Sequence, residues 1–245
     1  MNPIIYANGC SYTANMVLEC TQRYPELIGA KASHGYTNYE TFNVATPGAC
    51  NRQIIRSTMR HCMKFINDGR DVLALIQLTH LHRTEYADET IVPSYGQLST
   101  IDKRIYDDAW HSNANLSTYF FNDEFRSIKP NQQGLPSKVD QWANLGFILH
   151  NETAAFRNLC LDIVGLTSFL KANNIKYVIY MGPKLINIDE SINLDPLYQF
   201  VRQDPNILDL FEFSMLGLTG KDKHPDIDGM QLIADYFFNL LFEQE

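Results

Sequence analysis

The sequence predicts an α/β fold: a three-layer α/β/α sandwich built on a parallel five-stranded sheet. Three observations carry that prediction. Short apolar runs closed by Gly, Pro or Asn alternate with longer stretches of helical period. One run, Val72-Leu73-Ala74-Leu75-Ile76-Gln77-Leu78, is apolar on both faces, as a strand in the middle of a sheet must be. A chain of 245 residues with 45% hydrophobic side chains is long enough for one sizeable core, so a single domain over 1–245 is expected.

Each element has its own signal. Ile4 to Asn8 is a buried strand stopped by Asn8-Gly9, and Thr13 to Cys20 can form a helix before Tyr24-Pro25 breaks the pattern. Thr41 to Ala45 is a second, weaker strand closed by Pro47-Gly48. From Asn51 the residues Ile54, Ile55, Met59, Cys62, Met63 and Ile66 recur at helical spacing until Asn67-Asp68-Gly69. Val72 to Leu78 then belongs in the middle of the sheet. From Arg83 to Trp142 no period is sustained, and Pro93, Pro130, Pro136 and both tryptophans fall there. A structureless loop of that length is uncommon in a compact domain. An insertion over about 83–142 with small elements of its own, packed over the crevice, is expected. Leu145 to Ala172 is helical, Tyr177 to Met181 is a buried strand stopped by Gly182-Pro183, and Asn206 to Leu210 is a short last strand. Ile227 to Phe242 is an amphipathic helix with Met230, Ile233, Ala234 and Phe237 on its apolar side.

Composition excludes several function classes. A net charge of -8 with no run of Lys or Arg argues against a nucleic-acid surface. No window reaches the about 18 consecutive apolar residues of a membrane span. The start, Met1-Asn2-Pro3-Ile4-Ile5-Tyr6, lacks the basic n-region of a signal peptide, so a cytoplasmic protein is expected. The five cysteines, Cys10, Cys20, Cys50, Cys62 and Cys160, include no C-x-x-C pair, and free thiols are expected. His80 and His82 lack further ligands at a useful spacing. No metal and no cofactor is therefore expected.

In an open parallel sheet the ligand crevice lies at the carboxyl ends of the strands. After the first strand comes Gly9-Cys10-Ser11. Ser11 there either caps a helix or serves as a nucleophile, with backbone N–H groups at the helix start ready for an oxyanion. After the second comes Pro47-Gly48-Ala49-Cys50-Asn51, where Gly48 can bring a bare N–H close to a ligand and Asn51 adds an amide. After the third, Thr79 offers a hydroxyl. Before the last helix, Asp222-Lys223-His224-Pro225 pairs a histidine with a carboxylate, the combination a serine nucleophile needs.

In this order, on these elements, the four blocks resemble those of the SGNH (GDSL-type) hydrolases, in the style of phage and bacterial members, over nearly the whole chain outside the insertion. Gly9-Cys10-Ser11 matches the first block, Pro47 to Arg52 the second, and Asp222-Lys223-His224-Pro225 the last. Two departures stand out. Cys10 replaces the usual Asp before the serine, and the third block has no Gly-x-Asn-Asp, which puts Thr79, or else Gln77, where the oxyanion-hole Asn belongs.

The resemblance implies a flavodoxin-like sheet and a serine hydrolase that cleaves an ester, an acyl or acetyl group on a sugar or small molecule. Ser11 would be the nucleophile, His224 the base and Asp222 its orienting carboxylate. The oxyanion would be held by Ser11, Gly48 and Thr79, and the substrate by Asn51, Arg83 and Gln77. An acyl or glycosyl transferase on the same scaffold, and a catalytically degenerate module binding a glycan or protein, remain as alternatives. The expected partner is a small-molecule or carbohydrate ester, with no nucleic acid and no membrane.

Overall fold

The computed structural model describes residues 2–14, 23–35, 38–46, 49–81, 83–87, 116–120, 151–185, 190–220 and 224–243, with backbone alone at 35, 83–87, 116–120 and 190. In chain order these form β1 (Ile4–Asn8), α1 (Ser11–Ala14), α2 (Tyr24–Gly35), β2 (Glu40–Asn43), α3 (Asn51–Asn67) and β3 (Val72–Leu78). There follow β4 (Arg83–Ala87), β5 (Leu116–Phe120), α4 (Glu152–Ala172) and β6 (Lys176–Met181). A 3-10 turn (Glu190–Leu194), α5 (Pro196–Val201), α6 (Met215–Thr219) and α7 (Ile227–Phe242) complete the chain.

Four strands make one parallel sheet in the order β2-β1-β3-β6. The order reverses at β1: the chain leaves it towards β2 and returns on its other side as β3. Right-handed crossovers on the two sides of such a point place helices on opposite faces. Accordingly α2 packs with α7, while α3 packs with α4. Side chains of β1 alternate between the two layers, as a strand must. Tyr6 meets His61 and Phe65 of α3, whereas Ile5 lies against Gly29 of α2.

β3 is central, paired in parallel to β1 and β6 and buried at all seven positions. The expected fifth strand is reduced to a single parallel bridge, Ile179 to Ile207. Ile179 N–H donates to Asn206 O and Leu208 N–H to Ile179 O, both at 2.9 Å. Turns on both sides stop it from extending. Asp204 Oδ1 accepts Asn206 N–H at 3.0 Å, and Asp209 Oδ1 accepts Phe211 N–H at 2.9 Å.

Tyr24-Pro25 opens α2 rather than breaking a pattern, because a proline in the first helical turn gives up only an N–H that has no partner there. Tyr24, Ile28 and Ala32, each wholly buried, mark its inner face. In the stretch expected to be an insertion, β4 and β5 pair antiparallel as a two-stranded sheet of their own. The rest of that stretch, with Trp110, lies outside the described residues.

Candidate active site

The reversal of strand order places the crevice between the carboxyl ends of β1 and β3. Both ends are held by buried amide side chains. Asn8, the last residue of β1, donates through Nδ2 to Ile54 O (3.0 Å), Ser57 Oγ (2.8 Å) and Thr58 Oγ1 (3.0 Å) of α3. Its Oδ1 accepts Gly9 N–H at 2.8 Å. The strand thus ends against α3, and the chain turns at Gly9. A Cβ at Gly9 would stand 2.6 Å from Gln77 Oε1 and 2.8 Å from Thr13 Oγ1, closer than real side chains approach. Glycine is required there by space.

Cys10 O accepts the N–H groups of Thr13 (3.1 Å) and Ala14 (2.9 Å), so Ser11 is the first residue of the α1 turn. First-turn N–H groups have no acceptor within their own helix. Cys10 itself is wholly buried, its Sγ 4.0 Å from Ser11 Oγ. Beneath this turn sits Gln77, also wholly buried. Its Oε1 accepts Cys10 N–H at 3.0 Å and the Thr13 hydroxyl at 2.9 Å, and its Nε2 donates to Leu78 O and to Cys10 Sγ. Thr13 Oγ1 then accepts from Tyr24 OH at 2.9 Å, and Tyr24 meets the Tyr180 hydroxyl. Burial pushes both phenols above their ordinary range, so they keep their protons and act as donors. Gln77, expected to bind substrate, is placed inside the fold. Both ends of its amide are engaged inside the fold, where they brace the turn that carries Ser11.

Asn51, also expected to bind substrate, joins two elements. It opens α3, and its amide spans to the end of β3: Nδ2 donates to Thr79 O at 3.0 Å and Oδ1 accepts Thr79 N–H at 2.7 Å. This amide ties helix to strand. Thr79 follows β3 and is wholly buried. The chain after β2 reaches the same place, since Thr46 N–H donates to Gly9 O at 3.1 Å and Ala49 N–H to Thr46 O at 3.0 Å. Gly48, between them, lies outside the described residues, as do Asp222 and the side chain of Arg83.

The chain's far end completes the crevice. His224 precedes α7, where Asp226 caps the helix by accepting Gly229 N–H at 3.0 Å and Pro225 packs against Gly229. His224 Nε2 lies 2.7 Å from Ser11 Oγ, across 213 residues of sequence. The imidazole also stacks on the Tyr12 ring, with centroids 4.8 Å apart and planes inclined by 29°. A hydroxyl at a helix start, in contact with an imidazole nitrogen, is the pair that nucleophilic catalysis uses. Sequence reasoning brought together Ser11 and His224. It missed Asn8, Tyr12 and the brace made by Gln77, although Gln77 as the one polar residue within β3 was a visible signal.

Among the described residues, no three or more His, Cys, Asp or Glu side chains are grouped to hold a metal ion. Cys10, Cys50, Cys62 and Cys160 are buried free thiols, and no described helix is long and apolar enough to cross a membrane.

No protein-family model matches the sequence, and no curated protein matches it. Among solved structures, the chain is similar to AlinE4, an SGNH-hydrolase family esterase, at 15% identity and TM-score 0.43, covering 99% of this chain and 96% of that one. It is similar to the acetyl xylan esterase AlAXEase at 12% identity and TM-score 0.45, covering 98% and 100%. It is also similar to the psychrotrophic esterase EstA from Pseudoalteromonas sp., at 14% identity and TM-score 0.44, covering 97% and 96%. AlinE4 bears the name of the family that the four sequence blocks resemble. Likenesses this slight carry no argument about chemistry, and what the crevice can do follows from its own atoms.

Proposed function

We propose that the protein is a serine hydrolase of the SGNH type that cleaves a small ester. One observation carries the reading: the 2.7 Å contact between Ser11 Oγ and His224 Nε2. With the imidazole proton on Nδ1, Nε2 accepts the hydroxyl proton as Oγ attacks the ester carbonyl. The tetrahedral intermediate carries its negative charge on the former carbonyl oxygen. Collapse expels the alcohol, which takes the proton from Nε2 and leaves an acyl group on Ser11. A water then attacks that acyl group, giving its proton to the same nitrogen. The acid departs and Ser11 regains its hydrogen.

In this reading the Ser11 N–H, at the start of α1, supports the oxyanion, with the Gly48 N–H as second donor and Asp222 as the carboxylate that orients His224. The ester is an acyl or acetyl group on a sugar or other small molecule, as the resemblance of the blocks implies. Hydrolysis of an aryl acetate is the test. The wild-type chain should turn it over, and Ser11→Ala and His224→Ala should each lower kcat by about 10⁴-fold or more. Equal rates in wild type and Ser11→Ala would overturn the reading.

A further inference from the structure

The ring contact between Tyr12 and His224 is a feature that the serine–histidine pair alone does not require. Tyr12 is the residue directly after Ser11, so one short turn carries both the nucleophile and an aromatic face against its base. The geometry, centroids 4.8 Å apart and planes 29° from parallel, lies within the range of favourable ring pairs.

The Tyr12 ring is itself fixed. It is almost wholly buried, and a Cβ at residue 182 would stand 2.9 Å from its Cδ2, so the glycine at the end of β6 makes the room that the ring fills. Gly182 cannot readily drift: its N–H donates to Leu78 O at 2.9 Å and its carbonyl accepts Leu216 N–H at 3.3 Å. The turn below is braced by Gln77, through Cys10 N–H and the Thr13 hydroxyl. His224 is half-buried and stands just before α7. The packed turn thus fixes the Tyr12 ring, and the imidazole lies against it.

We propose that Tyr12 is a positioning residue for His224: its ring is the platform that holds the imidazole in line with Ser11 Oγ. The inference rests on the serine-hydrolase reading above and adds to it a residue that acts on the base rather than on the substrate. An aromatic face also favours the imidazolium that forms once the proton has moved, because the negative face of the ring attracts a cation. The contribution is therefore greater in the transition state than with substrate merely bound, and it belongs in kcat rather than KM.

The test is steady-state hydrolysis of an aryl acetate by wild type, Tyr12→Phe, Tyr12→Leu and Tyr12→Met, with His224 ring-proton resonances followed by NMR. Tyr12→Phe keeps the ring and should stay within about twofold of wild type. Tyr12→Leu and Tyr12→Met should lower kcat about tenfold with KM nearly unchanged, the size of one ring contact expressed as a rate. Methionine keeps much of the volume, so it serves if leucine fails to fold. The His224 resonances should carry a ring-current shift in wild type and Tyr12→Phe that both aliphatic variants lose. Unchanged kcat in a folded aliphatic variant would overturn the proposal, as would a Tyr12→Phe loss equal to that of Leu. Absence of Ser11-dependent turnover in wild type would overturn the hydrolase reading and the role of Tyr12 with it. In that case the ring-current shift would still report whether the two rings stack.

Discussion

The side-chain oxygen of Gln77 accepts the backbone N–H of Cys10 at 3.0 Å, so the central strand of the sheet holds the residue that precedes Ser11. The same oxygen takes the Thr13 hydroxyl. Replacing Gln77 with Leu strands both donors in the interior, and an unsatisfied buried donor costs about 1–3 kcal/mol. We expect Gln77→Leu to lose about 3 kcal/mol in urea unfolding, with the midpoint lowered and the slope unchanged. A loss below about 0.5 kcal/mol, the range of ordinary surface changes, would show that the brace is not needed.

His61 gives the fold a pH dependence of definite sign. Burial, then the nearby Arg60 and Lys64 charges, lowers its imidazole from 6.5 to about 4. Tyr6, its phenol held well above the ordinary range chiefly by burial, has its hydroxyl 3.0 Å from His61 Nδ1. Between pH 6.5 and about 4 the unfolded chain binds this proton and the folded chain does not. Stability is therefore fully present above pH 6.5, falls as pH drops through that window, and levels off below about 4. The fall from this group is about 3 kcal/mol. His61→Gln should flatten the decline in urea midpoints across the window, whereas parallel curves for variant and wild type would contradict it.

The elements whose burial shows in the local pattern were legible in the sequence: β3, with seven buried positions, and α7, with Met230, Ile233, Ala234 and Phe237 inward. What stayed hidden depends on contacts distant in the chain. Asn206 to Leu210 reads as a strand, yet the Asp204 and Asp209 side chains turn the backbone on either side of Ile207. The period of α2 is weak because small residues, Gly29 and Ala32, face the sheet, and Pro25 looks like a break when it is a start. Ser11 and His224 were legible because each follows or precedes a clear element. The backbone clamps made by Gln77 and Asn51 were not legible, since a polar residue at a strand end can face a ligand or clamp a backbone, and only the packed structure shows the clamp.

Cys10 and Ser11 are neighbours with opposite fates. The thiol is wholly buried and takes a hydrogen bond from Gln77 Nε2 at 3.3 Å. Cys10→Ala should keep most of the turnover and lose about 1–2 kcal/mol of stability for the small cavity and the lost contact. Iodoacetamide should leave Cys10 of the folded chain unlabelled. Rapid labelling of Cys10 with loss of activity would make this a cysteine enzyme.

Asn51 joins α3 to the end of β3 through both atoms of its amide. Asn51→Ala leaves the Thr79 N–H and carbonyl without this partner, at a cost of about 2 kcal/mol. Amide exchange should show the change locally, with Thr79 losing protection more than the middle of β3. Uniform loss along the strand would mean that the link is not local.

The central claim is that Ser11 is a nucleophile activated by His224, and a fluorophosphonate probe reads it directly. Intact-mass and peptide mapping of the treated protein should find one covalent adduct, on Ser11. It should be absent in Ser11→Ala and should form far more slowly in His224→Ala. An adduct elsewhere, or equal labelling of Ser11 with and without His224, would contradict the account.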